Sequence, residues 1–478
     1  MKIYDKQYIN GQWREGTSEK VMENHNPYTG ELIYSYRAAS TQDIDDAYAA
    51  AAAAQPAWEQ VPPAEKAALL EKLATVIEEM HDDIAAVLIE EGGSAAPKVG
   101  FECGTSATIA RQAMAFPYAL KGQIIPSDIP GKENYVYKKP KGVIGVIAPW
   151  NVPLVLAMRS VVPAVATGNT VVVKPASDTP ASAFLIAEFF ERAGFPAGVV
   201  NVVAGRGSEI GDYFVEHPVP SLISFTGSTE VGRRIGAVAG GQIKDVSLEL
   251  GGNNAMVVLA DADVERAAAA ACFGAFFHQG QVCMALNRII VEAPAYEAFE
   301  RAFVAAASQL KAGDPADPTA FMGPIINEGQ VASIESYVQQ TIDAGARVAL
   351  EGRTEGNVIQ PWILADCTND MPACCNEVFG PVCCLIKAAD EDEAVRIAND
   401  TDYGLSGSVF TTDIFHGMEV ARRIESGMVH VNDQSINDEP QCMFGGEKCS
   451  GVGRFNAQWV VDKFTTEQWV SVQAQPRF

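Results

Sequence analysis

The residue best suited to covalent chemistry is Cys283, which lies in the segment GQVCMA at Gly280–Ala285. It follows a glycine-containing loop that comes directly after an apolar helical stretch. A thiol attacks a carbonyl carbon well once it reaches the thiolate form. An isolated cysteine is more often a buried packing residue, so the assignment depends on the groups that surround it.

Glu249 and Asn151 are candidates to assist this thiol. Glu249 lies in the apolar segment LELGGNN, and burial moves the pKa of a carboxyl toward the range that suits a general base. Asn151 follows Pro149-Trp150, where its amide could donate to a developing oxyanion. Each has a structural alternative: Glu249 as a salt-bridged buried acid, and Asn151 as a helix N-cap ahead of Pro153.

Three further segments could hold a phosphorylated cofactor, and a fourth glycine-rich segment only resembles such a site. FTGSTEVG, with Gly227 and Ser228, follows a strand and opens a helix, so its backbone N–H groups can face an anion. KPAS places Lys174 within reach of ribose hydroxyls or a phosphate, and NEVFGPV pairs an acid with an aromatic ring suited to a ribose diol and a nicotinamide. GRGSEIG misses the dinucleotide fingerprint spacing by one residue and is interpreted as a turn into a helix.

These segments lie at the ends of predicted parallel strands. Four short apolar strands are each followed by a loop and a helix: Val143–Ala148, Thr170–Lys174, Val199–Val203 and Ser221–Phe225. Such a succession predicts a parallel sheet covered on both faces, with ligands at the carboxyl ends of its strands. A second α/β run is predicted from strands and helices at Ala255–Leu259, Ala262–Gln279, Leu286–Val291, Glu391–Asn399 and Gly427–Val431.

The two ends of the chain carry other elements. Asn10-Gly11 predicts a hairpin over Tyr8–Trp13. Helical periodicity covers Ala47–Trp58 and Ala64–Glu91, and Gly92-Gly93 ends the second helix. Two segments alternate like strands that belong to neither sheet: Tyr135–Lys139 and Thr465–Val472.

Composition narrows the class of protein. The 478 residues are 48% hydrophobic, which excludes a largely disordered chain. The net charge of −25 opposes binding to nucleic acids or to an anionic membrane. The start lacks an apolar signal core and the longest apolar stretch, Ala267–Phe277, is too short to span a bilayer. We therefore expect a soluble, cytoplasmic protein.

Histidines and cysteines give no sign of a metal site. The six histidines are scattered, and the ten cysteines include no CxxC pair, so no metal is expected. The doublets Cys374-Cys375 and Cys383-Cys384 are interpreted as packing residues, because adjacent side chains diverge on a strand.

Seven motifs, in order, resemble those of the aldehyde dehydrogenase superfamily. They are PWN, KPAS, FTGS, ELGG, GQxC, ExFGPV and FGGxKxSGxGR, the last of which runs from Phe444 to Arg454. The resemblance extends from about Asn10 to the C-terminus. FFHQGQVCMALNRIIV and MRS at Met158–Ser160 resemble the benzaldehyde and vanillin dehydrogenase branch.

The resemblance implies oxidation of an aldehyde to a carboxylic acid with NAD or NADP. Cys283 would form a thiohemiacetal whose oxyanion is held by Asn151 and the Cys283 backbone N–H, and Glu249 would activate the water that hydrolyses the thioester. The implied cofactor contacts are Trp150, Lys174, Ser177, Gly227, Ser228, Glu377 and Phe379. Ser177 is small and neutral, so it would not repel the 2′-phosphate of NADP, and we expect both cofactors to be accepted.

The implied fold class is α/β, with three parts. A Rossmann-like cofactor domain would take residues 1–117 and 141–250, a catalytic domain 251–455, and a β-stranded oligomerisation arm 118–140 and 456–478. An isolated strand pair is marginal in water, so the arm would join a second subunit. A homodimer or homotetramer is expected.

The expected substrate is an aromatic aldehyde, in a pocket formed by Val152, Val155, Arg159, Met284 and Phe444. Arg159 could pair with a substrate hydroxyl or carboxylate; the alternative, slightly favoured, is that it reaches solvent or bridges a helix. Aliphatic aldehydes and semialdehydes remain alternative substrates. A CoA-acylating enzyme would lack the acid at Glu249, and a catalytically silent relative could lose the thiol or the acid. Sequence alone leaves open the physiological aldehyde, the cofactor preference, the assembly and the role of the cysteine doublets.

Overall fold

The structure is a computed structural model that describes residues 4–477. Its strands are β1 (Gln7–Ile9), β2 (Gln12–Arg14), β3 (Val21–His25), β4 (Leu32–Arg37), β5 (Gln123–Ile125), β6 (Lys132–Pro140), β7 (Val143–Ile147), β8 (Thr170–Lys174), β9 (Val200–Val202), β10 (Leu222–Thr226), β11 (Asp245–Glu249), β12 (Asn254–Val258), β13 (Leu286–Glu292), β14 (Arg347–Leu350), β15 (Thr354–Glu355), β16 (Val358–Ile359), β17 (Trp362–Ala365), β18 (Val382–Ala388), β19 (Tyr403–Gly404), β20 (Ser406–Phe410), β21 (Met428–Val431), β22 (Glu447–Lys448), β23 (Gly451–Val452) and β24 (Thr465–Gln473).

The helices are α1 (Thr41–Gln60), α2 (Pro63–Glu79), α3 (His81–Gly92), α4 (Ala96–Ala113), α5 (Pro153–Ala166), α6 (Ala181–Ala193), α7 (Gly207–Glu216), α8 (Thr229–Gly241), α9 (Val264–Phe276), α10 (Ala293–Ala307), α11 (Glu328–Asp343), α12 (Pro372–Cys375), α13 (Glu391–Asn399), α14 (Ile414–Arg423) and α15 (Ala457–Lys463). Among residues 4–477, every helix is too short or too polar to traverse a lipid bilayer.

The first sheet confirms the predicted succession of strand, loop and helix. Its order is β2-β1-β9-β8-β7-β10-β11-β23, and the five strands from β7 to β11 run parallel. The strands are almost wholly buried because helices cover both faces. The β1–β2 hairpin turns at Asn10 and Gly11, both with left-handed backbone (φ 52° and 74°), as its sequence predicted.

The second sheet has the order β14-β17-β18-β13-β12-β20-β21 and is parallel except for the β14–β17 pair. Its strands β12, β13 and β21 occupy segments predicted from the second α/β run, whereas β20 between them in the sheet was not predicted. The sequence therefore predicted the α/β fold class correctly.

The third sheet, β24-β6-β5, stands outside the other two, as the alternation of its residues predicted. β24 and β6 pair along nine residues each and expose apolar side chains such as Trp469, Val470 and Tyr137. Sheet membership follows the predicted domain ranges with one exception: β23 pairs with β11 of the first sheet. The boundaries themselves remain a prediction, and residues 1–3 and 478 of those ranges lie outside the described residues.

Two predicted helices differ from the structure. The helix predicted over Ala64–Glu91 is two helices, because Met80 leaves the helical conformation (φ −91°, ψ 15°) between α2 and α3; Gly93 ends α3 in the left-handed region, as predicted. The helix predicted to reach Gln279 ends at Phe276, because His278 and Gln279 adopt left-handed backbone (φ 49° and 58°). This second break turns the chain into the loop that carries Cys283.

Candidate active site

The loop of Cys283 is held by buried amide side chains. Gln279 donates to the carbonyl of Pro324 (2.8 Å), and Gln281 accepts from the N–H of Ile326 (3.0 Å). Asn254 at the start of β12 donates to the carbonyl oxygens of Cys283 and Ala285, each at 2.8 Å. Within residues 4–477 the backbone N–H of Cys283 has no acceptor. The loop therefore presents a fixed thiol beside a free backbone donor.

The two glycines of ELGG, Gly251 and Gly252, lie against the Cys283 loop and Glu377. A Cβ on Gly252 would lie 2.3 Å from the carbonyl oxygen of Cys283, and one on Gly251 would lie 2.2 Å from a carboxylate oxygen of Glu377. A Cβ on Gly252 would collide with backbone, which cannot give way, whereas a Cβ on Gly251 would displace the Glu377 carboxylate. The glycines thus let the cysteine loop and Glu377 approach the end of β11 closely.

The Cys283 thiol is protonated at rest. Burial raises its pKa to about 12; the Arg159 guanidinium opposes this rise, whereas the carboxylates of Glu377, Glu249 and Asp438 add to it. Attack on a carbonyl therefore requires the thiol to lose its proton.

Glu249 is suited to act as a general base toward a water molecule. It ends β11 and is only 2% exposed, and neither carboxyl oxygen has a hydrogen-bond partner among residues 4–477. Burial raises its pKa to about 8, against the lowering influence of Arg159 and Arg454. The alternative of a salt-bridged structural acid is therefore wrong. An unpartnered carboxyl with this pKa can exchange protons near neutral pH.

Asn151 does not cap the helix that follows it. The first-turn N–H groups of α5, at Leu154 and Val155, donate instead to Glu102 of α4 (2.9 and 3.2 Å), whose carboxylate also pairs with Lys98 (2.5 Å). The Asn151 amide donates to the carbonyl of Gln281 at 2.9 Å, which leaves its second N–H unused. The helix-cap alternative is thus wrong, and one amide N–H remains beside the cysteine loop.

A narrow pocket joins these residues. All five predicted substrate residues line it together with Cys283 and Asn151. Its other lining residues, which the sequence did not indicate, are Phe101, Leu156, Phe277, Val282, Ile436 and Asp438. Most of these side chains are apolar, and three are aromatic counting Phe444, so the pocket suits a flat apolar group.

Arg159 neither reaches solvent nor bridges a helix, so that favoured alternative is wrong. It is 1% exposed and donates to Asp438 at 3.2 Å. Its guanidinium lies 3.9 Å from the ring centroid of Phe444 and 5.0 Å from that of Phe455. Its Nε and one Nη have no partner among the described residues. The wall of the pocket therefore contains a buried cation with spare donors.

A second, open cleft of about 430 Å³ begins at Ser177 and the β9–α7 turn. Arg206, Gly207 and Ser208 of GRGSEIG line it, so this turn does lead into α7 as predicted but also faces the cleft. Lys174 lies close by, since its Nζ would be 3.9 Å from a Cβ on Gly207. Burial lowers the pKa of Lys174 to about 8. Arg206 was missed, although its place after a parallel strand was a usable signal.

The remaining predicted cofactor residues line neither the cleft nor the pocket, but several of them contact one another or the ends of strands. Trp150 and Phe379 meet edge to face, with ring centroids 5.4 Å apart. Glu377 accepts the N–H of Gly252 (3.0 Å), and burial raises its pKa to about 7. Gly227 and Ser228 form the N-terminal end of α8, where Ser228 is the N-cap. This arrangement offers an anion-binding helix end, a diol acceptor and two aromatic faces, which fit a dinucleotide.

Known proteins resemble the chain along nearly its whole length. A model of the aldehyde dehydrogenase family matches residues 13–470. A vanillin dehydrogenase of Corynebacterium glutamicum is 48% identical over 471 residues, covering 98% of this chain and 97% of that protein. The crystal structure of an NAD-dependent benzaldehyde dehydrogenase from the same organism has a TM-score of 0.91 at 45% identity, covering 98% of this chain and 96% of its own. That of an E. coli NADP-dependent enzyme has a TM-score of 0.95 at 33% identity, covering 98% of both chains.

Proposed function

The chain belongs to the aldehyde dehydrogenase family, and from that premise we propose that it oxidises aromatic aldehydes of the benzaldehyde and vanillin type to carboxylic acids, with Cys283 as the nucleophile. It is an NAD- or NADP-dependent oxidoreductase that acts on the aldehyde group. The observation that carries the proposal is the convergence of Cys283, Asn151 and Arg159 on one narrow, largely apolar pocket.

The pocket supports an aromatic substrate through both shape and polarity. Aromatic and aliphatic side chains would cover the faces of a ring, which favours its transfer from water. The unpartnered N–H groups of Arg159 and the carboxylate of Asp438 could hydrogen-bond a ring hydroxyl. The similarity to vanillin and benzaldehyde dehydrogenases supports the same class.

The first step is attack by the Cys283 sulfur on the aldehyde carbon. The thiol proton is released to solvent as Cys283 ionises, and Glu249 takes no part in this step. The negative charge moves to the carbonyl oxygen, where the spare N–H of Asn151 and the free N–H of Cys283 stabilise it. The product is a thiohemiacetal on Cys283.

A nicotinamide dinucleotide, when bound, supplies the hydride acceptor that converts this thiohemiacetal to a thioester. Lys174, Ser177, Gly227 and Ser228 would hold its adenosine and phosphate end. Trp150 would contact the pyrophosphate together with Ser228, and Glu377 and Phe379 would hold the nicotinamide ribose and ring. Since Ser177 is neutral and the cleft contains Arg206, we expect the enzyme to accept NADP in addition to NAD.

Hydrolysis completes the reaction. The Glu249 carboxylate takes a proton from a water molecule, and the resulting hydroxide adds to the thioester carbon. The C–S bond then breaks, and the departing Cys283 thiolate takes up the proton that Glu249 received, which restores both groups. A buried carboxyl with a pKa near 8 suits this role. Its presence supports hydrolysis over transfer to CoA, and together with Cys283 and Asn151 it opposes a catalytically silent role.

We extend the proposal to assembly and location. The sheet β24-β6-β5 exposes Ile124, Trp469 and Val470, and burying these side chains against a second copy would stabilise a homodimer or homotetramer. All ten cysteines are free thiols, which favours a reducing compartment and so supports a cytoplasmic location.

The aldehyde selectivity tests this function. We expect kcat/KM for benzaldehyde and vanillin to exceed that for hexanal and succinic semialdehyde by about tenfold or more, measured by NADH or NADPH formation. The spare donors of Arg159 also fit the carboxylate of a semialdehyde, so succinic semialdehyde is the critical comparison. If hexanal or succinic semialdehyde were the best substrate, the aromatic assignment would fail.

Arg159→Leu provides a matched test within the aromatic series. The variant should lower kcat/KM for vanillin relative to benzaldehyde by about tenfold, because only vanillin has a ring hydroxyl for the lost donors. Since Arg159 also influences the pKa values of Cys283 and Glu249, the ratio of the two substrates is the informative quantity. An unchanged ratio would remove Arg159 from substrate recognition.

A further inference from the structure

Three cysteines outside the catalytic pocket converge in the core of the second sheet. The sulfur atoms of Cys367, Cys374 and Cys384 all lie within 4.8 Å of one another. The residues are only 4%, 0% and 1% exposed. They belong to separate segments: the turn after β17, the short helix α12, and strand β18. Folding thus brings together three thiols that no sequence motif had grouped.

Each cysteine doublet contributes one thiol to this cluster. Cys374 is buried whereas Cys375 is exposed. On β18, Cys384 packs in the apolar cluster that holds Cys367 and Cys374, and Cys383 packs on the other face of the sheet in the cluster that holds Cys272. The expected divergence of adjacent side chains is therefore correct, but reading both doublets as packing residues leaves out this convergence.

Arg288 lies beside the cluster, and its positive charge is only partly balanced. It is fully buried, and on the β13–β18 pair it is the register partner of Cys384, so the two side chains share one face of the sheet. Its guanidinium donates only to neutral oxygens, those of Asn369, Ile397, Asn253 and Ala398. Asp400 adds a favourable charge from a distance, but no hydrogen bond joins it to the guanidinium, and the Nε of Arg288 has no partner among the described residues. A buried cation without a hydrogen-bonded carboxylate is costly, so a negatively charged group in the cluster would stabilise it.

We propose that Cys367, Cys374 and Cys384 bind one Cu(I) ion as three thiolates, with Arg288 balancing part of the resulting negative charge. Thiolates select soft d¹⁰ ions. Zn(II) in structural sites takes four ligands, and no fourth histidine, cysteine or acidic side chain joins the three within residues 4–477. Binding forms three Cu–S bonds and releases three protons to solvent, with no change in the oxidation state of copper or sulfur.

The ion would fix the segment that leads to Glu377. α12 ends at Cys375, two residues before Glu377, and the carbonyl of Cys374 accepts from Asn253 (2.7 Å), the residue after Gly251-Gly252. The metal would therefore tie β18, the turn after β17 and this segment together. Its expected role is structural, separate from the chemistry at Cys283.

Copper stoichiometry tests the site directly. The parent protein is the full chain with Cys283→Ala, so that the nucleophile cannot bind copper. Copper is supplied by two routes, both in the absence of oxygen: during expression, and to the purified protein. In the second route a Cu(I) chelator competes with the protein for the ion. We expect about one copper per chain and an X-ray absorption spectrum of three Cu–S bonds. Sub-stoichiometric copper by both routes, or a spectrum dominated by nitrogen or oxygen ligands, would overturn the proposal.

Matched serine variants assign the ligands. Cys384→Ser should weaken copper retention at least about tenfold, whereas Cys383→Ser, equally buried on the same strand, should retain it. Cys374→Ser removes the ligand in α12 and should weaken copper retention in the same way. Circular dichroism identifies any variant that does not fold. Equal retention by Cys383→Ser and Cys384→Ser contradicts the site. A disulfide among the three cysteines of the anaerobic parent, found by mass spectrometry, does so as well.

Discussion

The two ends of the site differ in how far they are exposed to water. Around Cys283, the side chains of Asn151, Arg159 and Glu249 are almost fully buried, so charges interact there at low dielectric and without screening. Around Ser177, Arg206 and its neighbours in the cleft are open to solvent, where salt weakens charge interactions. Catalysis therefore depends on a few fixed groups, and cofactor choice on a balance of weak contributions. Substitutions at the enclosed end should have the larger effects.

The largest effect is expected at the nucleophile. Cys283→Ala should lower kcat by more than about 10⁴-fold, because no other group in the pocket can form the thiohemiacetal. Thermal unfolding should change little, since Cys283 is only partly buried. Cys272→Ala, a buried cysteine of the preceding helix, is the control and should stay active. Comparable activity of the two variants would exclude Cys283 as the nucleophile.

Asn151→Ala should be the next most damaging change. Removing one oxyanion donor lowers kcat by about 10²- to 10³-fold, and here the Cys283 backbone N–H would remain as the other donor. Steady-state kinetics with benzaldehyde measures the loss. Glu102 would still cap α5, but the buried hydrogen bond to the Gln281 carbonyl is lost, so the melting temperature should fall by a few degrees while the variant stays folded. A loss below about tenfold would show that the amide does not face the oxyanion.

The pH dependence of hydrolysis tests the buried carboxyl. Burial raises the pKa of Glu249 to about 8, so the group is mostly protonated at neutral pH and becomes a base only as the pH rises. The rate of thioester hydrolysis in single turnovers should increase up to about pH 8 and then level off. Glu249→Gln should abolish this dependence. A hydrolysis rate independent of pH in the unaltered enzyme would contradict the role of Glu249.

Ionisation of Glu249 lowers the stability of the fold, although it raises the rate of hydrolysis. Because the pKa of Glu249 is about 8 in the folded chain against an ordinary value of 4.5 in the unfolded chain, its burial lowers the stability of the fold progressively as pH rises from about 4.5 to about 8, and by a constant amount above that. Glu249→Gln should therefore raise the melting temperature above that pH and change it little at about pH 5.

The smallest effect is expected at the open end. The unaltered enzyme should use NADP with a kcat/KM within about 1,000-fold of that for NAD, and Ser177→Glu should lower the NADP-to-NAD ratio by about tenfold. Arg206→Gln should lower the same ratio, because it removes a cation from the cleft. Added salt should reduce both effects. An unchanged ratio in both variants would show that the 2′-phosphate lies elsewhere.

The sequence predicted elements better than contacts. The buried parallel strands are short apolar runs between glycines and prolines, so β8 (Thr170–Lys174) was predicted to the residue. The break at His278 was missed, because left-handed backbone at a non-glycine residue depends on its buried surroundings. The catalytic candidates were identified from local motifs, each of which places a reactive side chain at the end of a strand or helix.

Contacts between distant segments had no local signal. Glu102 caps α5 across 52 residues, and Asp438 pairs with Arg159 across 279. The charge of Arg159 favoured a solvated side chain, and only the fold shows its aromatic and acidic partners. The cluster of Cys367, Cys374 and Cys384 likewise depends on which face of β18 each cysteine occupies.

Trapping the acyl intermediate tests the central claim most directly. Glu249→Gln is mixed with benzaldehyde and NAD, quenched, digested and analysed by mass spectrometry. The account predicts a benzoyl group on the peptide that contains Cys283, formed together with NADH and released only slowly. NADH and benzoate released at the rate of the unaltered enzyme, with Cys283 unmodified throughout, would contradict it.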